Sequence, residues 1–205
     1  MVQRIGGALV IFSALASVII GGATSTVAPR WHDPSAAEFN SVGAVLVGLH
    51  LLFLAGVATL AGGGIVRGRL AVAGYAVTMA GLALQVVAEA TLRFSFATGS
   101  SLFGIVEPLM AVGFIVVGIA VVRNRVWAGW HPVTLLACGL YVPFVLIPAF
   151  VLAHGPSFPA ITAWQLCFLA LGAAMWSESA QISRRAKLQS AIPSTTSTQN
   201  AHQAS

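Results

Sequence analysis

Apolar residues run through six stretches of this chain, at about 5–22, 41–66, 70–91, 102–122, 133–153 and 160–176, with short polar gaps between them. None of the six alternates apolar and polar positions with the period of two that a strand needs. Each is close to the ~20 residues, range about 17 to 25, that a helix needs to cross the ~30 Å hydrocarbon core of a bilayer. A continuous apolar run can satisfy its backbone in lipid only as a helix. The pattern therefore predicts an all-α, polytopic membrane helical bundle of six transmembrane helices spanning residues 1–188.

The gaps carry the next layer of information. Arg4, Arg67, Arg69, Arg123, Arg125, Arg184, Arg185 and Lys187 fall at the N-terminus, in the second and fourth gaps and in the tail, which is one side of the membrane. Only Arg30 and Arg93 fall on the other side. Cations collect in cytoplasmic loops, so this split predicts both termini inside a bacterial plasma (inner) membrane. Trp31 and Trp164 then mark the outer interface, and Trp127, Trp130 and Trp176 the inner one.

Composition changes the picture little but excludes much. Only 7% of the 205 residues are charged and 58% are hydrophobic, too little polar surface for a soluble domain. The net charge of +5 comes from scattered loop cations rather than a basic face, so it argues for topology and no nucleic acid. Cys138 and Cys167 both fall inside spans and form no metal-ligand motif. Arg4, an apolar core and ATSTVA resemble a cleavable signal, but a cut after Ala28 would expose Pro29, and an uncleaved anchor is expected. The polar segment 189–205 reads as a disordered cytoplasmic tail.

Ionisable groups inside a membrane cost about 2.5–3.5 kcal/mol near its centre on insertion scales, so His50, Glu89 and Glu107 call for a reason. In the third span Gly74, Thr78, Gly81, Gln85 and Glu89 share one helical face, which should point into the bundle. Arg93 lies one turn beyond Glu89 and is placed to pair with it. In the fourth span Gly104, Glu107, Ala111, Phe114 and Gly118 share another mostly small face. A short outer gap joins these spans, so Glu89 and Glu107 are expected at similar depth in one outward-facing acidic pocket. Gln85, His50, Arg93 and Gln165 join them. Two readings stay open for these residues. They bind a small-molecule or ion ligand, or they pair among themselves and with backbone to hold helices together. His50 has no second intramembrane histidine to share a haem, and no cofactor or metal site is expected. Pro143 and Pro148 should bend the fifth span.

No Walker loop, nucleophile elbow, zinc-protease pair or dinucleotide fingerprint occurs. No inverted repeat is evident, which weighs against a secondary transporter. The second half, EPLMAVGFIVVGIAVVRNRVWAGWHPVTLLACGLYVPFVLIP followed by AWQLCFLALGAAMW, has a span ending in arginines, a tryptophan-bearing inner turn, a proline-rich span and a small-residue span. In this it resembles uncharacterised bacterial six-helix integral membrane proteins with a domain of unknown function. The resemblance implies the fold and carries no catalytic residues. The leading functional reading is a small permease or ligand-binding membrane protein. The alternative is a non-catalytic accessory or assembly subunit that packs on a membrane protein partner. A membrane enzyme is disfavoured for want of a catalytic constellation.

Overall fold

The computed structural model describes residues 2–27, 33, 35, 37–62 and 64–191, the side chains of 24–27 and 182–191 excepted. The helices are α1 (Val2–Val27), α2 (Ala37–Gly62), α3 (Gly68–Leu92), α4 (Phe96–Arg123), α5 (His131–Tyr141), α6 (Ile147–Ala153) and α7 (Phe158–Ala191), with a π-helical segment (Val142–Leu146) joining α5 to α6. Six spans result, α5 and α6 together making the fifth, and each is long and apolar enough to cross a membrane. Large apolar side chains such as Phe12, Ile19, Val72, Val87 and Val112 face outward, as lipid contact requires. The expectations for Arg30, Trp31 and residues 192–205 concern positions outside the described residues.

Several boundaries move for local reasons. The second span stops at Gly62, and Ile65 and Val66 belong to the turn that follows, because Gly64 takes a left-handed conformation (φ 70°) there. The third gap shrinks to Arg93–Ser95. Ser95 caps α4 by accepting the Thr98 N–H, so the polar residues 97–101 wind into the helix. The last helix continues past Trp176 to Ala191, which corrects the coil expected at 189–191. Its extension, SESAQISRRAKLQSA, includes the good helix formers Ala, Gln, Arg and Lys and has no Gly or Pro to stop the helix.

The spans pack in chain order and close into a ring: α1 on α2, α2 on α3, α3 on α4, α4 on α5, α5 on α7, and α7 back on α1. Glycines set the closest approaches. A Cβ on Gly113 would lie 2.5 Å from the Thr78 backbone nitrogen, and one on Gly74 2.7 Å from the Val117 nitrogen. Across the ring closure, a Cβ on Gly7 would lie 2.8 Å from the Gly172 carbonyl oxygen. The small face expected on α4 is corrected. Gly113, not Gly104 or Gly118, meets α3, while Gly118 packs on Leu136 of α5 and a Cβ on Gly104 would stand in open space. A helix wedged between two neighbours needs small residues on two sides, and a single stripe cannot describe it.

Side-chain donors tie the ring through backbone carbonyls. Ser13 Oγ donates to Leu49 (2.7 Å), Tyr75 Oη to Ala58 (2.9 Å), Trp164 Nε1 to Cys138 (2.9 Å) and Tyr141 Oη to Ala160 (3.0 Å). The fifth span breaks at its prolines. The Ile147 N–H reaches back to the Val142 carbonyl, one residue further than in an α-helix, and that wide turn makes room before Pro148. Beyond it α6 buries none of its residues. Phe168 of α7 meets Phe53 of α2 at 4.6 Å and Phe114 of α4 at 5.8 Å between ring centroids, and these buried rings fill the middle of the bundle.

Candidate functional site

Beside the buried rings, the ring of helices encloses a pocket of about 520 Å³. Its walls include Phe39 at the start of α2, Arg93 at the end of α3, Phe96 at the start of α4, and Pro156 and Phe158 before and within the first turn of α7. All of these flank the first, third and fifth gaps, so the pocket lies at the arginine-poor end of the bundle. Phe53 and Phe168 form its floor. The wall is mostly apolar and aromatic, with a few convergent polar groups, which is the usual make-up of a small-molecule site.

The five residues singled out from the sequence, His50, Gln85, Glu89, Arg93 and Glu107, all line this one pocket, and Gln165 lines it too. Their pairing differs from the expectation. Glu89 does not pair with Arg93. Its Oε2 lies 2.8 Å from His50 Nδ1, and its Oε1 accepts from Gln85 Nε2 at 3.2 Å. Arg93 caps the C-terminus of α3, and its side chain lies against α2, with Cγ 3.8 Å from where a Gly43 Cβ would stand.

His50 and Glu89 have a definite hydrogen-bond arrangement. His50 Nδ1 also lies 3.0 Å from the Leu46 carbonyl oxygen, which can only accept, so Nδ1 carries the hydrogen and shares it between carbonyl and carboxylate. Nε2 is then the nitrogen left for the pocket. Glu107 is different in kind. It is half-buried in the wall and has no hydrogen-bond or ion-pair partner among the described residues. Pro108 follows it inside an unbroken α4.

A second polar cluster sits at the opposite, arginine-rich end. His131 Nδ1 lies 2.7 Å from Glu178 Oε1, which also accepts the Ala128 N–H at 2.8 Å, and Ser177 Oγ lies 3.1 Å from His131 Nε2. His131 and Glu178 are both buried. The Ser–His–Glu order resembles a catalytic relay, yet each of its outer members is spent on the fold. Glu178 clamps the backbone of the turn between α4 and α5, and Ser177 Oγ lies 3.0 Å from the Ala174 carbonyl of its own helix. Beside it Arg4 of α1 stacks over Trp176 of α7 at 4.4 Å, and Asn124 Nδ2 donates to the Arg67 carbonyl at 3.3 Å, joining the fourth gap to the second. The cluster is a clamp on that end of the ring. Sequence reading missed Glu178 because the sixth span was drawn to end at Trp176. A carboxylate two residues past an interfacial tryptophan, with a histidine at the start of the preceding span, was the available signal.

Among the described residues no three His, Cys, Asp or Glu side chains are grouped to share a metal ion. No protein-family model, curated protein or solved structure matches the chain. The functional reading therefore rests on the pocket.

Proposed function

We propose that the protein is a multi-pass protein of the bacterial plasma membrane, with both termini cytoplasmic, that binds a small ligand from the outer face and acts as a small permease or ligand receptor. The observation that carries this reading is one pocket gathering His50, Gln85, Glu89 and Glu107, with the Glu107 carboxylate set in an apolar wall without a partner among the described residues. A carboxylate used only to join helices would be bonded to one, as Glu89 and Glu178 are. The positive-inside rule supplies the orientation, since the pocket lies at the end that holds the fewest cations. An accessory subunit would offer its small-residue faces to a partner. Here Gly7, Gly74, Gly81, Gly113 and Gly172 are used within the chain.

The test compares ligand response with folding. Wild type and Glu107→Gln are screened for small molecules that raise the melting temperature, with Phe114→Ala as a control for a damaged core. Glu107→Gln should express and melt like wild type and lose the response to compounds that stabilise wild type. A Glu107→Gln protein that expresses as poorly as Phe114→Ala, or that responds to every compound as wild type does, would overturn the ligand-site reading in favour of a structural carboxylate.

A further inference from the structure

We infer that the pocket takes a lipophilic monovalent organic cation, its charge set against Glu107 and its apolar body against the aromatic wall. This deepens the ligand-site reading and rests on it. The charge balance of the pocket argues first. Both carboxylate oxygens of Glu89 are engaged, by His50 and by Gln85, so Glu89 has little left for a ligand. Glu107 has no partner among the described residues, and a carboxylate held in an apolar wall gains most from a cation brought to it. One open carboxylate matches one positive charge. Among the described residues that line the pocket, Arg93 is the one further side chain with a fixed charge; it is exposed and lies along α2 at Gly43.

The walls then choose among cations. A hard metal ion needs about six oxygen ligands, and a single carboxylate among phenylalanines supplies too few. Phe103, Phe150, Phe158, Trp164 and Phe168 line the space, and aromatic side chains suit a bulky, weakly hydrated cation through burial and cation–π attraction. A volume of about 520 Å³ holds a drug-sized molecule rather than a bare ammonium ion. Among the described residues the deeper wall holds two carboxylates and no lysine or arginine, so an anion of the same shape meets a less favourable wall than the cation does.

Tetraphenylphosphonium and tetraphenylborate share size and shape and differ in sign, which makes them the probes. Purified full-length protein in lipid nanodiscs is dialysed to equilibrium against each ion, with empty nanodiscs giving the lipid background. Saturable binding of the phosphonium, at least about tenfold tighter than any binding of the borate, is expected. Glu107→Gln should weaken the phosphonium at least about tenfold and leave the borate unchanged, and Glu107→Asp should restore most of the affinity. Borate binding as tight as phosphonium binding would overturn the cation assignment while leaving a ligand pocket in place. Unchanged phosphonium affinity in Glu107→Gln would overturn it as well. Saturable binding of neither ion would overturn the inference, while the ligand-site reading stands or falls on the melting-temperature screen of wild type and Glu107→Gln. The comparison of the two ions in wild type needs no variant, so a poorly folding substitution does not decide it.

Discussion

Glu89 and Glu107 occupy the same pocket and are wired differently, and that difference can be read out one residue at a time. Glu89 is buried with both oxygens bonded, so removing its imidazole partner leaves an acceptor short inside the bundle. His50→Ala should lower unfolding stability by about 1–3 kcal/mol. Glu107→Gln removes no bond among the described residues and should stay within about 0.5 kcal/mol of wild type. Denaturant unfolding of the two variants in matched detergent checks this, and a larger loss from Glu107→Gln than from His50→Ala would reverse the assignment. Sequence spacing pointed all five candidate residues toward one pocket, and they do line one, because the faces of α2, α3 and α4 that carry them turn inward together. It missed who pairs with whom. An i,i+4 neighbour such as Gln85 is visible along one helix, whereas the imidazole partner of Glu89 sits 39 residues away on another. Only the crossing of α2 and α3 brings them together.

Helices were the most legible elements, since the bilayer fixes their length and lipid leaves the backbone no alternative. Their ends and their faces were less so. The chain leaves α2 at Gly62, earlier than hydropathy ends it, because hydropathy cannot see the left-handed turn at Gly64. The α4 face failed because Gly113 and Gly118 serve different neighbours, α3 and α5. The contrast between glycines of one helix is testable. Gly113→Leu should cost about 1–3 kcal/mol through overpacking against Thr78, while Gly104→Leu, with open space at its Cβ, should be nearly neutral. Equal effects of the two would contradict the packing of α3 on α4. The prolines of the fifth span announced a break, and a bend was expected. The wide turn at Val142–Leu146 that takes up Pro148 is a detail of backbone geometry that composition does not encode.

On the scale of the whole molecule, six spans in chain order make a ring with two unlike ends. One end is clamped by His131–Glu178 and by Arg4 on Trp176 and carries the arginines of the second and fourth gaps. The other holds the pocket. If the positive-inside rule orients the ring, a green fluorescent protein fused to the C-terminus should fluoresce and an alkaline phosphatase fused there should be inactive. The opposite pattern would invert the molecule and turn the pocket to the cytoplasm. The central claim is that the pocket is open to the outer solution, and cysteine labelling addresses it most directly. In a background of Cys138→Ala and Cys167→Ser, intact cells carrying Ser17→Cys or Ser100→Cys in the pocket wall are treated with a membrane-impermeant maleimide. Val112→Cys on the lipid face and Ala128→Cys at the clamped end serve as references. Both pocket cysteines should label from outside, Val112→Cys should stay unlabelled, and Ala128→Cys should label only after the cells are permeabilised. Labelling of Ala128→Cys in intact cells, with Ser17→Cys and Ser100→Cys silent until permeabilisation, would contradict the account.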